Sequence, residues 1–546
     1  MNVAEAVGAR LAALGVDQVF GVVGSGNLIV ADALCTGGAR YLAARQETAA
    51  VAMADGYARV TGRVGVATVH QGPGLTNAMT AITEAAKSRT PVLVLAADTS
   101  AAAIRSNFRI DQDRLVGAVG AVVERVYTPQ TAIADATRAY ERAVTDRRTV
   151  VLMLPLDVQA AECPVTDPPT TSSPRRLPAP GADTVDEITA LLLQASRPVL
   201  LAGRGAVVGD AGAAIEALGE RVGAILATSG NGHGLFAENP YSVGISGGLA
   251  PPSAAELLTD TDLVVAFGAS LNVWTSGHGS LFPKATLVQV DIDADAVGAH
   301  RPVDVAVVAD AATTARALCD ELDRRGHRST GLRTPQLAAR IAAGQWSEQP
   351  FTDAGTGSVI DPRTFTIALE KMLPAERTVA VDSGHFMGWP VMYLSVPDAA
   401  GFVFGQAFQS VGLGLGAAIG AAAARPDRLT VAVLGDGGAM MALGELDTVA
   451  RLGVPMLIVV YDDAAYGAEV HHFRPHGHSV DLAQFPDTDL AALARGAGLD
   501  GVTVRTLSDL DAVKDWLGRR DRSLLIDAKV NPDVVGSWLE EAFRAH

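Results

Sequence analysis

The chain has 546 residues, 49% hydrophobic and 19% charged, with a formal charge of −17. That length exceeds a single hydrophobic core and predicts about three globular domains. The acidic balance argues against nucleic acid or an anionic membrane as a partner. Cys35, Cys163 and Cys319 are too few and too scattered for a disulfide framework or a zinc site, so a reducing, cytoplasmic setting is expected. No basic segment followed by an apolar one opens the chain, so no signal peptide is expected. The Gly/Ala-rich run 411–424 comes nearest to a membrane span, but its glycines suit close packing or a ligand, and no membrane partner is expected.

From the N-terminus to about residue 166, helix and strand alternate. Residues 4–14 read as an amphipathic helix, 19–21 as a strand, and 48–60 as a helix starting just after Glu47. A strand at 65–69, a helix at 74–88 and strands at 91–96 and 149–154 complete the unit. Such alternation predicts a parallel sheet with helices on both faces. Residues 167–183, rich in Pro, Ser and Thr, read as an extended linker. The pattern resumes over 184–325, with strands at 199–202, 263–267 and 287–291 and a helix at 211–218. There Gly203-Arg204-Gly205 after a strand is a weak nucleotide-turn signal. A second polar stretch of little order, 324–361, leads to a last domain at 362–546. The expected class is α/β, with three doubly wound parallel-sheet domains.

The last domain carries the strongest motif. An apolar run, 431–434, delivers Gly435-Asp436-Gly437-Gly438-Ala439. A helical pattern follows over 439–452, Gly453-Val454-Pro455 stops it, and a second apolar run, 456–461, ends in Asp462-Asp463. Two parallel strands then place both acidic clusters at the sheet edge where open α/β folds bind ligands. The glycines admit a phosphate, and the helix N-terminus offers it free N–H groups. Asp436 and Asp463 beside a phosphate call for a hard cation between them, most simply Mg2+. A lone Gly-Asp-Gly-Gly is as often a plain tight turn; the second acidic pair makes the reading specific.

This stretch resembles the diphosphate–magnesium motif of the thiamine diphosphate-dependent enzymes, where Gly-Asp-Gly is followed at a set distance by a pair of asparagines. Here the pair is Asp462-Asp463, which adds negative charge beside a diphosphate. The resemblance implies Asp436, Asp463 and the Ala465 carbonyl as Mg2+ ligands. It places Gly435, Gly437, Gly438, Ala439, Tyr466 and Gly467 around thiamine diphosphate. Arg45-Gln46-Glu47 resembles the signature whose Glu presses on N1′ of the aminopyrimidine and promotes loss of the C2 proton. The bland alternative is a Glu favoured at a helix start by the macrodipole. In the stretch 405–416, the resemblance assigns the Gln409 carbonyl to the 4′-amine and Val411 to the wedge beneath the bent cofactor. Asp382-Ser383-Gly384-His385 resembles the loop that meets the diphosphate from the other side, which adds Gly384 and His385 to the cofactor set. The domains become pyrimidine-binding (1–166), middle (184–325) and diphosphate-binding (362–546).

On the substrate side, Ser25, His70 and Gln71 stand at strand ends where benzoylformate decarboxylase uses a Ser for the substrate carboxylate and a His for proton relay. A lone His is more often a satisfied structural residue. Gln112 falls where carboligases and acyloin lyases present a glutamine to a substrate oxygen. Glu469 and His471 fall near the active-site Glu of pyruvate decarboxylase. The His-rich run 471–478 fits no zinc spacing. Over nearly the whole chain the likeness is greatest to acetolactate synthase and benzoylformate decarboxylase. It implies thiamine diphosphate- and Mg2+-dependent decarboxylation or carboligation of 2-oxo acids through an enamine intermediate. It also implies a homodimer or homotetramer with active sites at the subunit interface. The alternatives are an acyloin (2-hydroxy ketone) lyase of benzaldehyde lyase type, a non-catalytic nucleotide-binding homologue, and a flavin oxidoreductase. FAD in the middle domain is not expected.

Overall fold

The apolar runs of this chain form strands buried on both faces, as parallel sheets covered by helices require. The computed structural model describes residues 1–164, 177–328 and 331–544. The strands form three six-stranded sheets with parallel pairing throughout. The first sheet holds β1 (Gln18–Gly21), β2 (Arg40–Ala43), β3 (Gly65–Val69), β4 (Val92–Asp98), β5 (Val122–Arg125) and β6 (Val150–Pro155), in the order 2-1-3-4-6-5. The second holds β7 (Pro198–Ala202), β8 (Ile225–Thr228), β9 (Ser242–Ile245), β10 (Leu263–Phe267), β11 (Thr286–Asp291) and β12 (Val305–Val308), in the order 12-11-10-7-8-9. The third holds β13 (Arg377–Val381), β14 (Phe402–Phe404), β15 (Leu429–Gly435), β16 (Met456–Asp462), β17 (Asp500–Val504) and β18 (Leu524–Lys529), in the order 14-13-15-16-18-17.

The first and third sheets share one strand order, so each reverses direction at the same place. That place is between β1 and β3 in one sheet and between β13 and β15 in the other. A doubly wound sheet opens a crevice there, outside the strand C-termini. Residues 22–27 and 70–74 line the first crevice; residues 382–385 and 435–439 line the second.

The two sheets are joined through a helix crossing. The helix Glu47–Thr61 of the first domain lies against the helix Gly414–Ala424 of the last, and one apolar core runs through both domains. A Cβ at Gly420 would overlap the Met53 carbonyl oxygen, and one at Gly56 would overlap the Ala417 carbonyl. A Cβ at Gly416 would sit 2.9 Å from that of Ala52. The glycines of the 411–424 run thus serve interhelical packing. Among the described residues no helix is long and apolar enough to cross a membrane.

Three expectations need correction or restriction. The single helix expected over 439–452 is two, Asp436–Met441 and Glu445–Leu452, with tight i→i−3 bonds such as Glu445 N to Ala442 O (2.9 Å) at the join. Gly444 keeps ordinary right-handed angles (φ −59, ψ −26), and the break re-aims Glu445. The low-order stretch at 324–361 contains the helix Pro335–Ala343, capped by Thr334 and packed through Ile341 into the middle-domain core. Its apolar stripe is too short for periodicity to reveal. Of the linker expected at 167–183, residues 167–176 lie outside the described residues, and a helix begins at Ala182.

Gly420→Val should lower the melting transition of the cofactor-free chain, because the crossing cannot admit a branched side chain. A cost of about 3 kcal/mol is expected, read by thermal or urea unfolding.

Candidate active site

The acidic residues of the last domain divide into two groups with opposite electrostatics. Asp436 follows β15 as the first residue of its helix, and Asp463 follows β16, the neighbouring strand. Burial first, and then the charges of Asp463 and Asp462, push the Asp436 carboxyl up to about 8. Burial and then Asp462 push Asp463 up to about 7. Two adjacent carboxylates with such raised affinity for protons are a ready site for a cation. Among the described residues no three His, Cys, Asp or Glu side chains form a metal cluster. A cation bound here would need oxygen ligands beyond these two side chains.

Asp462 plays a different part. Its side chain is buried and accepts from Lys529 Nζ at 2.6 Å, while its other oxygen accepts from Ala464 N at 3.0 Å. Lys529 Nζ also lies 2.5 Å from Asp487 and 3.2 Å from Asp527. Burial alone would lower the Lys529 ammonium, but its bonds to Asp462 and Asp487 outweigh that and hold it above its usual range. The extra acid of the Asp462-Asp463 pair thus has its own cation from β18. Asp463 is left to line a cavity of about 260 Å³ together with Ala465, Gly467, His471, Arg474 and Phe485.

Glycine is required around this cavity. A Cβ at Gly437 would press on the Tyr466 ring at 2.6 Å, one at Gly438 would overlap Asp382, and one at Gly467 would overlap Asp463. Gly384 has φ 143, and a Cβ there would meet the Phe386 ring at 3.0 Å. His385 is buried; burial first, then His471, lower its imidazole to about 3, so it is neutral. Its Nε2 accepts from Gly536 N at 3.1 Å, so the ring proton sits on Nδ1, on the Gly467 side. Val411 lies beside Gly438, just before Gly412 at φ 93. Gln409, at φ 57, has its carbonyl 3.2 Å from Ser383 Oγ. The turn is held by Asp382, whose buried carboxylate accepts from Gly412 N (2.9 Å) and Gly414 N (3.1 Å). Burial raises Asp382 to about 6, and these amide bonds oppose the rise. Glu469 is exposed on the helix Gly467–Phe473, and Ala439 is buried in the helix after Asp436.

In the first domain, His70 meets Ser25 through its ring and neighbours Glu47 across Gly74. Ser25 Oγ is 3.4 Å from His70 Nε2, and His70 Nδ1 is 2.9 Å from the Gln71 carbonyl. A carbonyl only accepts, so neutral His70 carries its proton on Nδ1 and offers Nε2 as an acceptor to Ser25. Glu47 is half-buried at the start of its helix and accepts from Asn77 Nδ2 at 3.0 Å; a Cβ at Gly74 would lie 3.5 Å from its Oε1. Gln71 is buried with Oε1 unpartnered. Gln112 is also buried, and both ends of its amide are engaged by backbone: Oε1 by Gly72 N (2.8 Å) and Nε2 by Ala97 O (3.0 Å). It clamps the 71–72 turn to β4 and does not face open space. In the middle domain the Gly203-Arg204-Gly205 turn packs on Gly268, and Arg204 reaches Thr90 of the first domain at 3.0 Å. Sequence reasoning missed Lys529, the roles of Asp382 and Glu445, and Arg474. Their partners lie far along the chain, and no local spacing announces them.

The raised Asp436 carboxyl has a consequence for stability. A folded value above the unfolded one means the native chain binds more protons, so its stability falls as pH rises from about 4 to about 8. Asp436→Asn should therefore stabilise the metal-free, cofactor-free chain at pH 8 by about 1–3 kcal/mol, with little change at pH 4. Lys529→Met should do the reverse, costing about 3–5 kcal/mol by stranding Asp462. Thermal unfolding against pH checks both.

Three family descriptions match in order: "Thiamine pyrophosphate enzyme, N-terminal TPP binding domain" over 1–115, the central domain over 185–318, and the C-terminal TPP binding domain over 382–528. A sulfoacetaldehyde acetyltransferase of Rhodobacter capsulatus is 28% identical, aligned over 97% of this chain and 94% of the relative. An acetolactate synthase large subunit of Parasynechococcus marenigrum is 30% identical over 90% and 81%. The acetolactate synthase isozyme 2 large subunit of Escherichia coli is 27% identical over 98% and 97%. The shared strand order, the two crevices and these matches together make the chain a member of the thiamine pyrophosphate enzyme family, acting on carbon–carbon bonds.

Proposed function

We propose that the chain catalyses thiamine diphosphate- and Mg2+-dependent decarboxylation or carboligation of 2-oxo acids. The observation that carries this reading is the convergence of Asp436 and Asp463 on adjacent strand ends, with tightly packed glycines beside them. Asp436, Asp463 and the Ala465 carbonyl would hold the cation. His385 Nδ1 and the helix start at 435–439 would donate to the diphosphate. Val411 and the Gln409 carbonyl would orient the rings. When bound, the cofactor supplies an electron sink for the bond to the carbonyl carbon. Glu47 would hold a proton at N1′ of the aminopyrimidine. His70 Nε2, backed by the Gln71 carbonyl, would move a proton at the reacting carbon, with Ser25 binding the substrate beside it. Glu469 and His471, at the cavity of the last domain, are further acid candidates.

Glu47 and its partner Asn77 belong to the first domain, whereas the diphosphate residues lie in the last. A second copy of the chain would set the first-domain crevice of one copy against the last-domain crevice of the other. Exposed apolar side chains near both crevices support this arrangement: Val23, Leu28 and Ile29 on one side, Phe408, Met440 and Met441 on the other. The relatives' names, for sulfoacetaldehyde and for acetolactate, support aldehyde and 2-oxo-acid chemistry.

Glu47→Gln should lower kcat by about 100-fold or more while thiamine diphosphate still binds. Unchanged turnover would reject its role. His70→Ala should lower kcat and kcat/KM together. Incubating the loaded wild type with 2-oxo acids, 2-hydroxy ketones and sulfoacetaldehyde, and following CO₂ and aldehyde, tests the reaction itself. Release of aldehyde from a 2-hydroxy ketone without CO₂ from any 2-oxo acid would replace decarboxylation by acyloin cleavage.

A further inference from the structure

Two buried glutamates outside the expected site reach across the domain boundary in opposite directions. Glu445, 2% exposed, opens the helix after the break at 442–444. Its Oε1 accepts from two consecutive first-domain amides, Arg45 N at 2.9 Å and Gln46 N at 3.0 Å; Oε2 accepts from Thr448 Oγ1 at 2.6 Å. The next residue is Glu47. Glu84, also 2% exposed, lies in the first domain. It accepts from two consecutive last-domain amides, Ala407 N at 3.2 Å and Phe408 N at 2.7 Å. The next residue is Gln409. Each carboxylate therefore holds the backbone one step before a residue assigned to the cofactor by the other domain.

The two clasps differ in charge balance. Arg59 Nη2 lies 2.9 Å from Glu84, and Arg59 Nη1 donates to the Phe404 carbonyl at 3.1 Å, so that carboxylate has a cation beside it. Among the described residues, Glu445 forms no direct ion pair; its bonds are the two amides and the Thr448 hydroxyl, and its nearest cation, Arg451, reaches it only through that hydroxyl, to which Arg451 Nη2 donates at 3.0 Å. A carboxylate without a direct ion pair is costly to bury, and general packing would be served as well by an apolar side chain. The two N–H groups, in turn, sit in a loop that cannot pair in the sheet. The break at Gly444 turns the carboxylate toward them, and Arg45 Nε adds a flanking bond to Asp447 at 2.7 Å.

We propose that Glu445 and Glu84 are positioning residues, a reciprocal pair of carboxylates that fix the loops presenting Glu47 and Gln409 to the cofactor. The proposal rests on the functional reading above. Glu445 sets where the Glu47 carboxyl stands relative to the aminopyrimidine, and Glu84 sets the left-handed turn at Gln409 that carries the ring contacts.

The test uses the full chain with thiamine diphosphate and Mg2+. In Glu445→Ala, amide hydrogen exchange of the 44–47 segment should rise at least about tenfold. The rate of C2-proton exchange of bound thiamine diphosphate should fall about tenfold or more, the weight of two charge-assisted bonds. Cofactor affinity should stay within about threefold. Glu445→Gln, whose amide oxygen can accept the same two bonds, should recover most of both losses and guards against a variant that fails to fold. Glu84→Gln should instead raise amide exchange at 405–410 and weaken cofactor affinity. A folded Glu445→Ala with wild-type C2 exchange overturns the proposal, as does a loss that Glu445→Gln does not recover. A wild-type chain that binds no thiamine diphosphate overturns the functional reading, and is told apart because it fails before any substitution.

Discussion

The close crossing of the helices Glu47–Thr61 and Gly414–Ala424 governs the geometry of everything around it. Gly56, Gly416 and Gly420 bring backbone against backbone, so the separation of the two domains is set by main-chain atoms. Interiors at this density resist small displacements. One helix starts at Glu47 and the other follows the Val411 loop, so the crossing also fixes where these two residues stand. The carboxylates Glu445 and Glu84 act on the same loops from either side, trimming a placement that packing has already made approximate.

Electrostatics then distinguish residues that look alike. Asp462 and Asp463 are neighbours in sequence, yet one is closed off by Lys529 and the other borders a cavity. A strand alternates its side chains between faces, and the turn after β16 adds a residue at φ 53, Ala464, so consecutive acids meet different surroundings. Lys529 offsets part of the charge of the second acid, which still raises Asp436 and Asp463. What remains at Asp436 and Asp463 is charge that the chain leaves without an internal cation. Such strain lowers stability in the empty state and would be relieved by a bound cation.

The first domain shows a milder version of the same division. His70 and Ser25 form a polarised pair whose tautomer is set by the Gln71 carbonyl. Gln112, close in sequence reasoning to the same task, is spent on holding the 71–72 turn. The difference is accessibility: Ser25 is exposed at the crevice mouth, while Gln112 is 2% exposed behind it. Residue type and approximate position fit both roles equally well.

What could be read from the sequence was whatever is written locally. The alternation of apolar runs and helices, the glycines after β15, the acid at the start of the Glu47 helix and the stop at Gly453 all follow from neighbours within a few residues. Their meaning survives in any tertiary context. The tertiary structure alone decided which buried charges were paired and which were left open. Lys529 meets Asp462, Glu445 meets the amides of Arg45 and Gln46, and Asp382 closes on Gly412 and Gly414 only after the chain has folded back on itself. The break at 442–444 and the helix Pro335–Ala343 belong to the same class, since each is stabilised by contacts with distant segments. Local spacing encodes secondary structure because its hydrogen bonds are local; it carries no record of partners hundreds of residues away, and here those partners set the charge of the site.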